Sequence, residues 1–77
     1  MIQKEPQVFA YQQAIYIESS EMLDADILIY NINGQLIAQH KMLGKTMLKI
    51  PVELSQAVYL VSIRTDQNIW NKKVYVQ

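Results

Sequence analysis

No cysteine occurs in this chain, so neither a disulfide nor a thiolate metal site can brace it. That absence matters in a chain of 77 residues, because one this short buries only about 60 to 65% of the surface its unfolded form exposes. Glycine is nearly missing as well: Gly34 and Gly44 are the only two, which excludes a glycine-rich phosphate loop. An excess of one charge is missing too. Seven basic and seven acidic residues cancel and lie scattered along the chain, unlike the gathered basic face of a nucleic-acid binder. The longest apolar run, Ala57 to Val61, has five residues, against the ~20 that a membrane helix needs. The opening MIQKEPQ lacks the apolar stretch of a signal peptide. On these grounds the chain is either made and kept in the cytoplasm or is a piece of a longer protein.

What is present is alternation. Apolar residues make up 51% of the chain, many of them β-branched or aromatic and spaced by two, and no window carries a helical stripe. The pattern predicts seven short strands: Val8–Tyr11, Ala14–Glu18, Ala25–Asn31, Gln35–Lys41, Thr46–Ile50, Val58–Thr65 and Ile69–Val76. Asn33-Gly34 between two apolar segments predicts a two-residue hairpin. Leu43-Gly44-Lys45 reads as a second connection, Pro51 as a strand stop, and Asp66-Gln67-Asn68 as the last turn. Seven antiparallel strands at this spacing suggest an all-β fold, a small immunoglobulin-like antiparallel β-sandwich. Alternation turns Tyr59, Val61 and Ile63 inward and Ser62 and Arg64 outward, and it separates Val74 and Val76 from Lys73 and Tyr75. Lys72 falls on the face opposite Lys73. The segment Ile27-Leu28-Ile29-Tyr30 is apolar on both faces, as a central strand would be, or a strand whose outer face meets a partner.

Residues that could carry chemistry are sparse. His40 is the lone histidine, and it reads as a solvated residue at a strand end rather than a metal ligand. Asp24 and Asp26 share a face, but a calcium site needs six or more oxygens, and only Glu21 is near in sequence. Their plain role is to keep an exposed strand soluble. Ser19, Ser20, Ser55 and Ser62 have a single histidine to share and no nucleophile elbow. The chain therefore reads as no enzyme, with no cofactor and no metal. Trp70 and Tyr75 fall on opposite faces of one strand, and Tyr11 and Tyr16 on different strands, so neither pair forms one stacking platform. Tyr59 opens a strand after a turn. A tyrosine placed there in a sandwich buries its ring and ties its hydroxyl to upstream backbone.

Three segments taken in order resemble one family: ILIYNINGQLIAQH at 27–40, LSQAVYLVSI at 54–63, and the closing NKKVYVQ at 71–77. The family is the C-terminal sorting domain of type IX (Por) secretion substrates of Bacteroidota. Its pattern is a strand ending in Asp or Asn, two residues and a Gly, here Asn31-Ile32-Asn33-Gly34. A Gly-x-Tyr strand follows, then a final strand with Lys before alternating valines. Ala57 stands where the family carries the glycine of Gly-x-Tyr, which predicts about 1 kcal/mol of strain if that position needs positive φ.

The resemblance implies a C-terminal secretion signal directing a larger cargo through the outer-membrane translocon, for surface anchoring or release. Residues 1–7 would be the junction with the cargo, where a sortase commonly cuts, and residues 8–77 the sorting domain. Its partners would be the translocon, the outer-membrane shuttle and sortase components, and the N-terminal cargo of the same chain. Nucleic acid would not be among them. The route runs through the periplasm to the outer membrane, cell surface or medium. The residues carrying the signal would be Asn31, Gly34, Tyr59, Lys73, Val74 and Val76.

Two other readings compete. One is a non-catalytic fibronectin-like spacer or carbohydrate-binding module using Trp70 and Tyr75; the other is a cytoplasmic adaptor. Glycan binding that disappears on Trp70→Ala would favour the first, and a longer reading frame upstream, opening on a signal peptide, separates the second from a sorting signal. Open strand edges also predict a weak homodimer. Sedimentation at millimolar concentration is expected to show reversible dimers, and a strictly monomeric profile would contradict them.

Overall fold

Ile15, Ile17, Leu23, Ala25, Ile27 and Ile29 occupy odd positions of one extended segment, so the strand pleat turns all six to the same side. All six are buried in the computed structural model, which describes residues 4–52 and 57–77. The described chain is all β: β1 (Gln7–Tyr11), β2 (Ala14–Tyr30), β3 (Leu36–Pro51), β4 (Ala57–Arg64) and β5 (Ile69–Val76). Every pairing is antiparallel, within one sheet. The order is β1-β2-β4-β5, with β3 also paired to β2.

Among the described residues the strands number five, not seven. The expected second and third strands are one 17-residue β2, and the fourth and fifth are one 16-residue β3. The chain stays extended through 19–24 and 42–45 instead of turning there. The expected connection at Leu43-Gly44-Lys45 is an irregularity inside β3. Gly44 takes φ +61° and donates its N–H to Asp24 Oδ1 at 2.6 Å, beside the shift in register between Leu23 and Ala25. A glycine in the left-handed region is what such a bulge requires.

Length forces the ribbon to bend. A straight strand of 17 residues would reach roughly 53 Å at about 3.3 Å per residue, yet the longest dimension of the whole molecule is 37 Å. The register break between Glu18 and Leu23 marks the bend. Below it β2 pairs with β1 and the end of β3; above it, with the start of β3 and with β4. Ile27 to Tyr30 thus lie between two strands, as their two apolar faces suggested. The bend brings β1 alongside β5, and inner-face residues from both halves merge into one core: Ile15, Ile17 and Ile50 with Ile27, Tyr59, Val61, Ile63, Val74 and Val76.

Turn chemistry sets the remaining geometry. Tyr11 pairs with Ala14, leaving Gln12 and Gln13 as a two-residue loop with φ +48° and +59°. Such a loop needs positive φ at both positions, and Asn-Gly is the pair that adopts it most readily. An L-residue there costs about 1–2 kcal/mol. Between β4 and β5, the Thr65 hydroxyl accepts the N–H groups of Gln67 (3.2 Å) and Asn68 (2.9 Å), and Thr65 N–H donates to the Asn68 carbonyl at 2.8 Å. This is the turn expected around residues 66–68.

Replacing Gln12-Gln13 by Asn-Gly is therefore expected to raise the unfolding free energy by about 1–2 kcal/mol. A urea midpoint displaced upward at unchanged slope would establish it; an unchanged or lower midpoint would contradict it.

Candidate functional site

Asn31 leaves the end of β2 with its backbone and side chain both turned into the loop that follows. Asn31 N–H donates to the Gln35 carbonyl at 2.9 Å, and Gly34 N–H donates to the Asn31 carbonyl at 3.0 Å. The loop therefore has three residues, Ile32, Asn33 and Gly34, in place of the two-residue Asn33-Gly34 hairpin expected from sequence. Gly34, at φ +84°, supplies the left-handed residue that closes such a loop. No atom lies within 4 Å of where its Cβ would stand, so its need for glycine is conformational rather than steric.

The Asn31 side chain does the rest. Oδ1 accepts the N–H of Asn33 and of Gln35, both at 3.0 Å, and Nδ2 donates to Gln35 Oε1 at 2.9 Å. Two of these three bonds need only a carboxyl-type oxygen. That explains in physical terms why Asp or Asn three residues before Gly makes a workable pattern: the oxygen holds the loop amides and the glycine takes the positive φ.

Tyr59, Val74 and Val76 form the second group. All three are buried, Tyr59 2% exposed, and Tyr59 pairs directly with Val74 while Ala57 pairs with Val76. They lie where the β4–β5 hairpin runs past the end of β2, beside the loop at 31–35. Ala57 is extended and has no positive φ, so the expected strain at that position is absent. Leu54, Ser55 and Gln56, before it in the resembling segment, lie outside the described residues.

Lys73 differs from both groups. It is exposed, on the outer face, in a row with Leu60 and Tyr30 across three strands. Lys72 faces the other way, half-buried, with Nζ 3.0 Å from Glu5 Oε1. Pro6, next to Glu5, is buried. At such exposure the ion pair is worth a few tenths of a kcal/mol to about 1. Glu5 and Lys72 stand at opposite ends of the chain, and nothing in the sequence pairs them. The structure thus joins Tyr59, Val74 and Val76 in the core and places the Asn31–Gly34 loop at their border. It leaves Lys73 apart, on the surface.

The remaining residues singled out by sequence have structural placements. His40 is half-buried opposite Ile27, in mid-strand rather than at a strand end, because β3 runs on to Pro51. Asp24 holds the Gly44 bulge, and Asp26 stands 4.0 Å from Lys41. Among the described residues no three His, Cys, Asp or Glu gather as a metal site. Ser62 is on the outward face as expected but is only 3% exposed, beside Leu28 and accepting from Arg64 Nε at 3.3 Å. Trp70 packs against the core and Tyr75 faces solvent. Phe9 stacks on Tyr16 at 5.2 Å, a pairing that spacing alone did not reveal.

Asn31→Ala is expected to destabilise the chain by about 1–2 kcal/mol, because it orphans loop amides. Asn31→Asp keeps both acceptor bonds and is expected to cost less than about 0.5 kcal/mol. Equal losses for the two variants, measured by urea denaturation, would contradict this account of the loop.

No curated protein matches the chain. The model of the secretion system C-terminal sorting domain matches residues 11–77, and the chain accordingly belongs to that family, the C-terminal sorting signals of type IX secretion.

Proposed function

We propose that this domain is read as a folded surface, with the exposed Lys73 on the terminal strand β5 as the contact side chain and the other signal residues holding that strand in place. Asn31 and Gly34 form the loop beside it, and Tyr59, Val74 and Val76 seat it on the core. The observation that carries this reading is the division between the two lysines. Lys72 is tied to Glu5 on the inner side, whereas Lys73 stands exposed on the other. Among the described residues β5 has a ladder partner on one side only, β4. A reader could add a strand at the edge away from β4, where β1 lies near but forms no ladder, gaining affinity from main-chain hydrogen bonds and specificity from alternate side chains.

In this reading the readers are the outer-membrane translocon and its shuttle and sortase components. The cargo precedes the junction at residues 1–7, where the sortase would cut; residues 8–77 form the signal. The cargo crosses the periplasm and reaches the outer membrane, the cell surface or the medium. The domain itself catalyses nothing. Its two half-ribbons, packed across one core, would act as the layers of a small immunoglobulin-like sandwich.

The test is a reporter with a signal peptide at its N-terminus and this chain at its C-terminus, expressed in a host with type IX secretion. Deleting Lys73–Gln77 removes two core valines and is expected to abolish fold and export together. Lys73→Glu separates the two roles. Its urea midpoint is expected to match wild type, while extracellular reporter falls about tenfold or more, the effect of roughly 1.4 kcal/mol of lost recognition. Wild-type export by that stable variant would overturn the role of Lys73.

A further inference from the structure

The pleat that turns Ile27 and Ile29 into the core turns Leu28 and Tyr30 the other way, and the ladders carry that outer face across four strands. One row across it runs Leu36, Tyr30, Leu60 and Lys73, with Tyr75 next to Lys73 on the same side of β5. Leu36, Leu60 and Tyr75 are 51%, 37% and 54% exposed. Single exposed apolar residues are ordinary, but adjoining ones with a polar rim mark a binding surface. Charge narrows what fits it. Lys73 is the only charged side chain in this row or in the next, Gln39-Leu28-Ser62-Asn71, and it has no ion pair among the described residues. The carboxylates nearest the face gather at its far end, where Asp24, Asp26 and Asp66 share a groove with Lys41 and Arg64. The terminal carboxylate at Gln77 stands roughly 13 Å further along the strand than Lys73.

We propose that this face docks a protein partner whose own surface is apolar with a carboxylate at one end, an Asp or Glu set against Lys73. This specifies the reader of Lys73 and rests on that lysine being read. Apolar side chains of both partners leave water together, while the carboxylate meets a cation that the domain itself leaves unmatched. Complementary charge fixes the orientation of such a contact. From Leu36 to Lys73 the row covers three strand spacings, roughly 14 Å at about 4.8 Å each, and an extended partner segment spans that in about four residues. Side chains at i, i+2 and i+4 of that segment therefore reach the row, the first two apolar and the last acidic. A second copy of this chain fits less well. These rows hold no carboxylate side chain, so a copy laid on them offers Lys73 only apolar groups or another lysine.

The probes are two end-blocked peptides, Leu-Thr-Leu-Thr-Glu and Leu-Thr-Leu-Thr-Lys, titrated into the chain while backbone amides are followed by NMR. Tyr30 and Leu60 report best, because their strands have ladder partners on both sides and edge pairing leaves them alone. The glutamate peptide is expected to shift both amides saturably, with a dissociation constant of roughly 1–10 mM. The lysine peptide is expected to bind about fivefold more weakly. Lys73→Glu is expected to invert that preference, and Leu36→Ser, at an exposed position, to weaken both peptides about threefold. Equal affinity for the two peptides, no shift by roughly 10 mM peptide, or a preference that Lys73→Glu leaves unchanged would overturn the proposal. Shifts of the same two amides on diluting the chain alone would overturn it too, and assign the face to a second copy. The two readings fail separately. Export lost in Lys73→Glu without discrimination between the peptides keeps the lysine as a contact and overturns the acidic partner. Selective binding of the glutamate peptide with normal export of Lys73→Glu supports the acidic partner and removes its link to secretion.

Discussion

One strand carries the molecule. β2 pairs with β1, β3 and β4 and supplies Ile15, Ile17, Leu23, Ala25, Ile27 and Ile29 to the core. It cannot be straight, because roughly 53 Å of extended chain at about 3.3 Å per residue has to fit a 37 Å molecule. The bend at 19–24 lets one sheet bury its own inner face, since it brings β1 beside β5 and joins the two ends of the core. Asp24 and Gly44 sit at that bend and hold it: the glycine accepts the backbone geometry and the carboxylate takes its N–H. Without cysteines, the hydrogen-bonded irregularity and the apolar row beneath it do the work of a crosslink.

The spacing of the residues proposed to carry the sorting signal becomes intelligible once they are placed. Asn31 and Gly34 are three apart because one side chain must hold two loop amides and the third loop residue must take positive φ. The valines at 74 and 76 alternate because a strand presents every second residue to the core, and there they meet Tyr59 and the row along β4. Most of the residues proposed to carry the signal are thus also what keeps β5 in place. Lys73 is the exception, since it stands exposed on the outer face. The division between a structural majority and one exposed charge follows from the short chain: a domain of this size has few residues to spare from its core.

How much could be read from residues alone varied with the range of the interaction. Inner and outer faces of β4 and β5 were legible, because period two follows from the pleat regardless of what packs against it. The centrality of Ile27 to Tyr30 was legible from its two apolar faces. Strand count was not. Ser19, Ser20 and Glu21 are polar and Met22 is exposed, which reads as a turn, yet the ladder on either side keeps them extended. The length of the 31–35 loop escaped for a related reason: Asn-Gly suits several hairpins, and the bond from Asn31 N–H to the Gln35 carbonyl chooses among them. The turn at Gln12-Gln13 carries no turn residue, so sequence shows a gap between strands but not its strain.

By itself, then, the sequence determined the class of the fold, the faces of its strands and the order of the motifs that mark a sorting signal. Each of these depends on local spacing. The tertiary structure decided the rest: one bent ribbon in place of separate strands, the merging of two half-sheets over one core, and the different fates of two adjacent lysines. Lys72 reaches back to Glu5 near the other end of the chain, and Lys73 stands clear of it. That distinction depends on where the first and last strands meet in space, and no local pattern encodes it.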